Sequence, residues 1–494
     1  MARATRRTTP TTLIGGAPMR VLRITDAGAA ALDRWLAGAP VPTGDAHAVL
    51  ARRLTDSGIA VPVVPGRPVG HDAGVSVVIP VHDRPDGLAA TLRALAPLAR
   101  AGVEIVVADD GSGDPEAVAA AVAGCAAPVT LVRRPVRGGP AAARNTGWRA
   151  ASGSTIAFLD ADCIPAPGWL EALAGHLADE SVAAVAPRVT ALPPPPGGKR
   201  RAGAGPAGAG RAGAGWAGAG PLGQRAAAWL TRYEQVRSPL DLGPDPGPVR
   251  PDGKVTYLPS AALVVRRSAL EAVAGFDETM PVGEDVDLVW RLVAGGWRVR
   301  YEPGARVGHP ARPSLEAALR QRHAYGRSAA PLAARHRSSV APLSLPWPAA
   351  MAWTATVAVP PAAGGAVVAG AVAAGALGWS TRRVRHRTGL PLSAAARIAL
   401  GGHLAGGRAF AEAARRTWWP PAVLACLVAP RRSGRLVALV VAPLLAEWQR
   451  AGRPLGLVRW VVFRLADDAA YGSGVWAGCV RARSARALLP RLGA

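Results

Sequence analysis

The middle of this 494-residue chain predicts an α/β fold with a mostly parallel central sheet. Three observations predict it. Short runs dense in Val, Ile and Leu recur between Val75 and Pro303. They alternate with stretches that carry Leu and Ala at helical spacing. Several of the runs stop at acids, and in open α/β sheets ligands bind beyond the carboxyl ends of the strands.

Taken in order, VSVVIPV (75–81) reads as a strand buried on both faces. DGLAATLRALAPLA (86–99) follows as a helix. VEIVVADDGS (103–112) is a second buried run, PEAVAAAVAG (115–124) a helix and PVTLVRR (128–134) a third strand. GPAAARNTGWRAAS (139–152) is helical, TIAFLDAD (155–162) a fourth strand and PGWLEALAGHLAD (167–179) a helix. VAAVAPRV (182–189) is a fifth strand. Residues 191–223 are low-complexity Pro, Gly and Ala, too poor in side chains to offset their ordering entropy, and are expected as a disordered insertion. A helix near 224–239, a strand AALVVRR, a helix from Gly283 and a strand WRVRYEP complete the domain, and 313–336 reads as one basic helix. The expected division is a floppy tail (1–17), a small accessory domain (18–70), the α/β domain (71–336) and a helical, membrane-associated remainder (337–494).

The formal net charge is +25, yet the basic residues are scattered and there is no zinc-finger spacing or aromatic-interleaved basic stripe. That distribution argues against nucleic acid and for an anionic membrane surface or a polyanionic substrate. Cys125, Cys163, Cys426 and Cys479 are far apart, so neither a disulfide framework nor a Cys-rich metal site is expected. The basic N-terminus lacks the apolar core of a signal peptide. From Ser338 to Thr381 there are 44 residues without a formal charge, followed by RRVRHR (382–387). This is long enough for one membrane span, or for two short ones hinged at PPAAGG. A buried or interfacial helix pair is the competing reading.

The chemistry is expected at strand ends. Asp109-Asp110-Gly111-Ser112 offers a carboxylate to a base N–H or a ribose hydroxyl, or makes a plain turn. Asp160 and Asp162 can share one hard divalent cation, Mg²⁺ or Mn²⁺, which would also take diphosphate oxygens. Glu284, Asp285 and Asp287 open a helix, where acids gain from the dipole and can simply cap; one left exposed would serve as a general base. His309 is a further metal ligand, a phosphate contact or a structural histidine. There is no GxGxxG after the first strand, no GxxxxGK[ST] and no GxSxG, which removes the simplest dehydrogenase, ATPase and esterase readings.

VSVVIPVHDRPDGLAATLRAL, EIVVADDGS, GGPAAARNTGWRAASGSTIAFLDADCIPAPGWL and GFDETMPVGEDVDLVWRLVAGGWRVRYEP, in that order, resemble the family-2 glycosyltransferases of GT-A fold. The resemblance covers about 75–310 without the low-complexity segment. It implies a UDP-sugar donor, with Asp110 at the uracil or ribose, Pro80 and His82 lining the same pocket, and Arg144 at the base or diphosphate. It implies Asp160 and Asp162 as the DxD pair, the last acid on the metal and the first on ribose or sugar. It implies Asp285 of the Glu284-Asp285 pair as the base that deprotonates the acceptor, with inversion at the anomeric carbon. Processive synthases of the family carry Gln-x-x-Arg-Trp; here the region reads RQRHAYGRS (320–328) and Arg327 lacks the Trp. Asp287, Arg322 and Arg327 are the candidates on the acceptor or phosphate side. Within the family, the N-terminal preface, GHPARPSLEAALRQRHAYGRSAAPLAARH and the weakly apolar tail resemble the glycosyltransferases of mycofactocin biosynthesis. That implies UDP-glucose as donor, a small peptide-derived redox cofactor as acceptor and a short β-linked chain as product. The uncharged run 338–381, the cluster Arg382, Arg383, Arg385 and Arg387, the Trp418-Trp419 pair and the lack of a signal peptide lead us to expect the cytosolic face of the membrane as location. An enzyme acting on a lipid carrier or an envelope glycan is the rival, and a non-catalytic membrane scaffold is the rival of another class.

Overall fold

A computed structural model of the chain describes every residue except 4, 43, 71–73, 193–220, 360–362 and 494. The expected insertion (191–223) falls almost wholly outside the described residues, and so does the Pro360-Pro361 break. The first elements are β1 (Arg6–Thr9), β2 (Thr12–Gly15), β3 (Arg20–Arg23), α1 (Asp26–Leu36) and α2 (Ala46–Asp56). The α/β part runs β4 (Val75–Val81), α3 (Pro85–Arg100), β5 (Glu104–Asp110), α4 (Pro115–Ala123), β6 (Thr130–Arg134), α5 (Pro140–Ala150), β7 (Thr155–Leu159), β8 (Ile164–Pro165), α6 (Trp169–His176) and β9 (Val182–Leu192). After α7 (Pro221–Arg237) come β10 (Gly247–Pro248), β11 (Ala262–Arg266), α8 (Arg267–Ala272), α9 (Glu284–Ala294) and β12 (Arg298–Pro310). The rest is helical: α10 (Leu315–Arg327), α11 (Ala329–His336), α12 (Trp347–Ala358), α13 (Ala363–Thr388), α14 (Leu392–Arg416), α15 (Trp419–Val428), α16 (Pro430–Arg450) and α17 (Leu457–Arg481).

Residues 1–17, expected as a tail, instead supply β1 and β2 of a three-stranded antiparallel sheet completed by β3. The reason is local. Thr favours extended backbone, and Leu13 is fully buried with Leu22, Leu32, Leu54 and Ile59 in a small core of their own.

The main sheet has the order β10-β12-β9-β11-β7-β4-β5-β6, with β8 paired to β12. Strands β4, β5, β6 and β7 are parallel neighbours. The sheet is mixed rather than purely parallel. β11 runs against both β7 and β9, because the chain re-enters at the carboxyl end of β7, where Ala262 faces Leu159. The reversal places the residues just before β11 among the carboxyl ends of the parallel strands. Val77, Ile79, Leu88, Leu92, Ile105 and Val107 form the core between this sheet and α3. Each such side chain is worth about 1.5–3 kcal/mol of burial.

The chain divides into two compact units: 1–195 with 237–311, and 196–236 with 312–494. The boundary therefore falls near residue 311 and not at 336. α10 belongs with α17, to which it is seamed by glycines: a Cβ on Gly326 would strike the carbonyl of Tyr471, and one on Gly474 the carbonyl of His323. The single basic helix expected over 313–336 is two helices, α10 and α11, parted at Ser328. A buried ion network ties this unit together. Asp468, with no exposure, accepts from Arg415 Nε at 2.7 Å and lies 3.2 Å from Arg464 Nη1. Within α13, Gly364–Thr388 is apolar enough by length and composition to cross a membrane, with mean hydropathy 1.3 and 11% of it buried. Val367, Val368 and Trp379 on it are exposed, as are Leu424, Leu427 and Val428 on the short apolar α15.

Candidate active site

The carboxyl ends of β4, β5, β7 and β12 carry the polar groups that the sequence marks out. Asp160 directly follows β7, its N–H donating to the Ala261 carbonyl at 3.0 Å, so the strand's last hydrogen bond fixes where the acids begin. Arg144 reaches across from α5. Its Nη2 donates to Asp160 Oδ1 at 2.8 Å and its Nη1 to Glu284 Oε1 at 2.9 Å. Buried among Ala141, Ala142 and Ala143, this guanidinium joins the two acidic motifs, and its Nε has no partner among the described residues.

Asp162 points the other way. Its Oδ2 accepts from Arg84 Nη1 at 2.8 Å, and its Oδ1 lies 3.6 Å from His309 Nε2. His309 sits near the end of β12, beside Ala191 of β9. Its Nδ1 is 2.8 Å from the Pro310 carbonyl, which can only accept, so Nδ1 carries a hydrogen. In the neutral ring Nε2 then turns a lone pair toward a carboxylate oxygen at 3.6 Å. Two lone pairs at that separation fit two ligands of one cation, with the histidine held by a backbone carbonyl as metal-bound histidines are. Among the described residues no group of three or more His, Cys, Asp or Glu could hold a metal. Asp162 and His309 thus fit as two protein groups that would hold a divalent cation. Asp160 is spoken for by Arg144.

Asp285, half-buried in the first turn of α9, accepts from the N–H of Ser260 at 3.2 Å and of Val286 at 2.8 Å. Burial raises its carboxyl above the ordinary range, against the pull of Arg144 and of those N–H groups. Glu284 is pushed up to about 7, by burial first and then by the charge of Asp285, again against Arg144. An acid pair with raised proton affinity beside a fixed cation is the environment expected of a proton acceptor. Of the two, Asp285 is the more accessible.

Other expected residues turn inward. Asp110 is buried and holds the loop before α5: its Oδ1 accepts from Arg134 Nε at 3.0 Å and Gly138 N at 2.8 Å, its Oδ2 from Gly139 N at 2.7 Å. That is loop anchoring rather than an open base contact. His82 donates through Nδ1 to the Asp110 carbonyl at 3.0 Å, with Nε2 3.3 Å from Asp83. Pro80, half-buried, lies in β4 beside Ala108. Asp287 is buried and grips Arg291 at 2.7 Å, and Arg291 in turn donates to the carbonyls of Val273 and Gly275. It braces the loop before α9. Arg322 is buried inside the helical unit, its guanidinium paired with Asp467 and Glu234. Arg327, at the end of α10, is exposed.

Two residues that the sequence did not mark complete the site. Asn145 fixes that same loop, donating to Phe276 O and Glu278 and accepting from Phe276 N, while Trp148 Nε1 of its own helix holds the amide oxygen. Its signal was adjacency to Arg144. Arg84, half a turn past the first strand in HDRPD, neutralises Asp162.

Residues 76–219 match the family described as glycosyl transferase family 2, and residues 252–396 match glycosyl transferase family group 2. The pre-mycofactocin glycosyltransferase of Mycobacterium tuberculosis is 37% identical over 488 residues, 97% of this chain and 94% of that one. The N-acetylglucosaminyl-diphospho-decaprenol L-rhamnosyltransferase of the same organism is 38% identical over 132 residues, 26% of this chain and 36% of its own. Among solved structures, a mannosyltransferase of Pyrobaculum calidifontis in complex with GDP-Man and Mn²⁺ is similar over 79% of this chain and 92% of its own, at 18% identity and a TM-score of 0.38.

Proposed function

The chain belongs to the family-2 glycosyltransferases and transfers a sugar from a nucleotide-sugar donor; from that premise we propose that it moves a hexose, glucose by likeness, from a UDP-sugar to a small peptide-derived acceptor of the mycofactocin type. The 37% identity along 97% of the chain to a pre-mycofactocin glycosyltransferase carries the acceptor reading. That likeness runs through the N-terminal sheet and the helical unit as well as the α/β part, whereas the likeness to the lipid-linked rhamnosyltransferase is confined to 26% of the chain.

In this reading Asp162 and His309 hold Mg²⁺ or Mn²⁺, which supplies Lewis-acid stabilisation of charge on the leaving diphosphate. Arg144, with an unspent N–H, adds a preorganised cation at the same place. Asp285 takes the proton from the acceptor hydroxyl, its orientation fixed by the N–H of Ser260. Asn145 and the Asp287–Arg291 pair keep the loop that precedes it in place. Pro80 and His82 border the nucleoside end of the donor site, and Asp110 shapes it through the 134–139 loop. The apolar helix α13, with Arg382, Arg383, Arg385 and Arg387 at its end, would dock on an anionic cytosolic leaflet, peripherally or as a weak span.

The test is product mass. Purified protein receives UDP-glucose and Mn²⁺ with either the peptide-derived cofactor precursor or a polyprenyl phosphate. Hexose additions to the first and none to the second are expected; the reverse result would replace the acceptor reading by the envelope-glycan one.

A further inference from the structure

A cavity of ≈ 270 Å³ lies at the edge of the main sheet, at the end of β12 opposite His309. Its walls come from α2, the end of α6, β10 and the first residues of β12, so the small N-terminal domain closes it. Pockets at domain seams with a few converging polar groups are the usual form of small-molecule sites.

The side chains there are unequally occupied. Alternate residues of β12 share a face, and Arg298, Arg300 and Glu302 do so here. Arg298 is spent: Nε and Nη2 hold Asp56 at 2.8 and 3.0 Å, and Nη1 holds Ser181. Arg300 uses only Nη2, on Asp179 at 3.2 Å, although its side chain is just 14% exposed. Burial lowers its proton affinity, with Asp179 and Asp56 only partly offsetting this. Arg250 lines the same cavity and has no side-chain partner among the described residues. His176, 5% exposed, directs Nε2 to Glu302 at 3.3 Å, while its Nδ1 is buried with no partner.

The geometry points to a second binding site, for a small phosphomonoester, between the N-terminal domain and the sheet edge. Anionic phosphate oxygens accept from the unspent N–H groups of Arg300 and Arg250, the pairing that guanidinium groups make with phosphate. A phosphomonoester presents three such oxygens and up to two negative charges, against a carboxylate's two oxygens and one charge, so a pair of guanidinium groups discriminates between the two anions. The cavity has space beyond the phosphate for a small organic group. Occupancy would also fasten α2 to β12, where Asp56 already meets Arg298.

The test uses the full-length protein with its donor site filled by UDP and Mn²⁺, titrated calorimetrically with glycerol 3-phosphate and, separately, with acetate. One saturable glycerol 3-phosphate site is expected, with acetate at least about tenfold weaker. Asp162→Ala should keep this site, whereas Arg300→Gln should lose it and Arg250→Gln weaken it about tenfold, a loss of the size expected for a charge-assisted bond. UDP affinity, unchanged in both arginine variants, reports that they fold; should Arg300→Gln not fold, Arg250→Gln decides alone. Equal glycerol 3-phosphate binding in wild type and Arg250→Gln, or no binding to either, overturns the site; equal affinity for acetate overturns its phosphate chemistry.

Discussion

Arg144 stands between Asp160 and Glu284, 2.8 Å from one and 2.9 Å from the other, and so couples the acid that ends β7 to the acid pair that begins α9. One side chain thereby links two motifs that lie more than a hundred residues apart. Its removal should strand two carboxylates, one of them buried. Arg144→Ala is expected to lose turnover by at least about a hundredfold and to cost on the order of 3–5 kcal/mol of stability. Arg144→Lys should recover charge but not the two-pronged geometry, and so restore only part of either. Urea titration and steady-state kinetics check this; full rescue by Lys would remove the bridging role.

Asp285→Asn should bind UDP and Mn²⁺ as the wild type does and turn over about 10²–10⁴-fold more slowly, the range for loss of a general base. Glu284→Gln should lose less. Near-normal turnover of Asp285→Asn would move the base to Glu284.

The acid pair also sets a pH dependence. Both carboxyls have raised proton affinity, so the unfolded chain ionises them first, near pH 4. Their contribution to stability therefore falls as pH rises from about 4 through the folded value of about 7 for Glu284, and is fully lost above it. Melting temperature followed in metal-free buffer from pH 4.5 to 8 should decline less in Glu284→Gln than in wild type. Activity has the opposite sign, because a base works only when ionised; kcat/KM should drop on acidification, in two steps that belong to the pair. In Glu284→Gln a single step should remain.

Arg84 and a cation compete for Asp162. The guanidinium is exposed and its ion pair is worth at most about 1 kcal/mol. Without nucleotide, Arg84→Ala should bind Mn²⁺ up to about fivefold more tightly. Asp162→Ala should abolish Mn²⁺-dependent UDP binding, and His309→Ala should weaken it. Paramagnetic titration of free Mn²⁺ reads all three; unchanged binding in Asp162→Ala would dismiss the metal assignment.

Membrane association should need α13. Salt washes of isolated membranes should release a peripherally bound protein, and carbonate should leave a spanning one behind. Replacing Val367 and Val368 by Ser should shift the protein to the soluble fraction. Full solubility of the unaltered chain before any wash would make α13 a helix that spans and docks on nothing.

The parallel strands and the acids at their ends were readable because burial on both faces leaves continuous apolar runs, as in 75–81 and 155–159. Position at a strand end was readable; direction was not. Asp110 looked like a ligand contact and is a loop anchor, since nothing in DDGS announces the N–H groups of Gly138 and Gly139. Arg322 lies on a helix whose sequence gives no hint of Asp467, 145 positions on. The N-terminal strands escaped because four-residue segments such as RRTT carry too few apolar positions to show a period. The reversed β11 escaped because an apolar run has no direction until its neighbours are known.

The glycine seam between α10 and α17 has a practical side. Anyone shortening this protein for crystallisation from its sequence would cut after the basic segment near residue 336. Such a cut leaves α10 with a furrow shaped for a missing helix and Arg322 facing a missing Asp467. A division that respects the two compact units falls near Ala311 and also leaves α7 with the helical remainder, where Tyr233 packs on Trp460 and Glu234 pairs with Arg322.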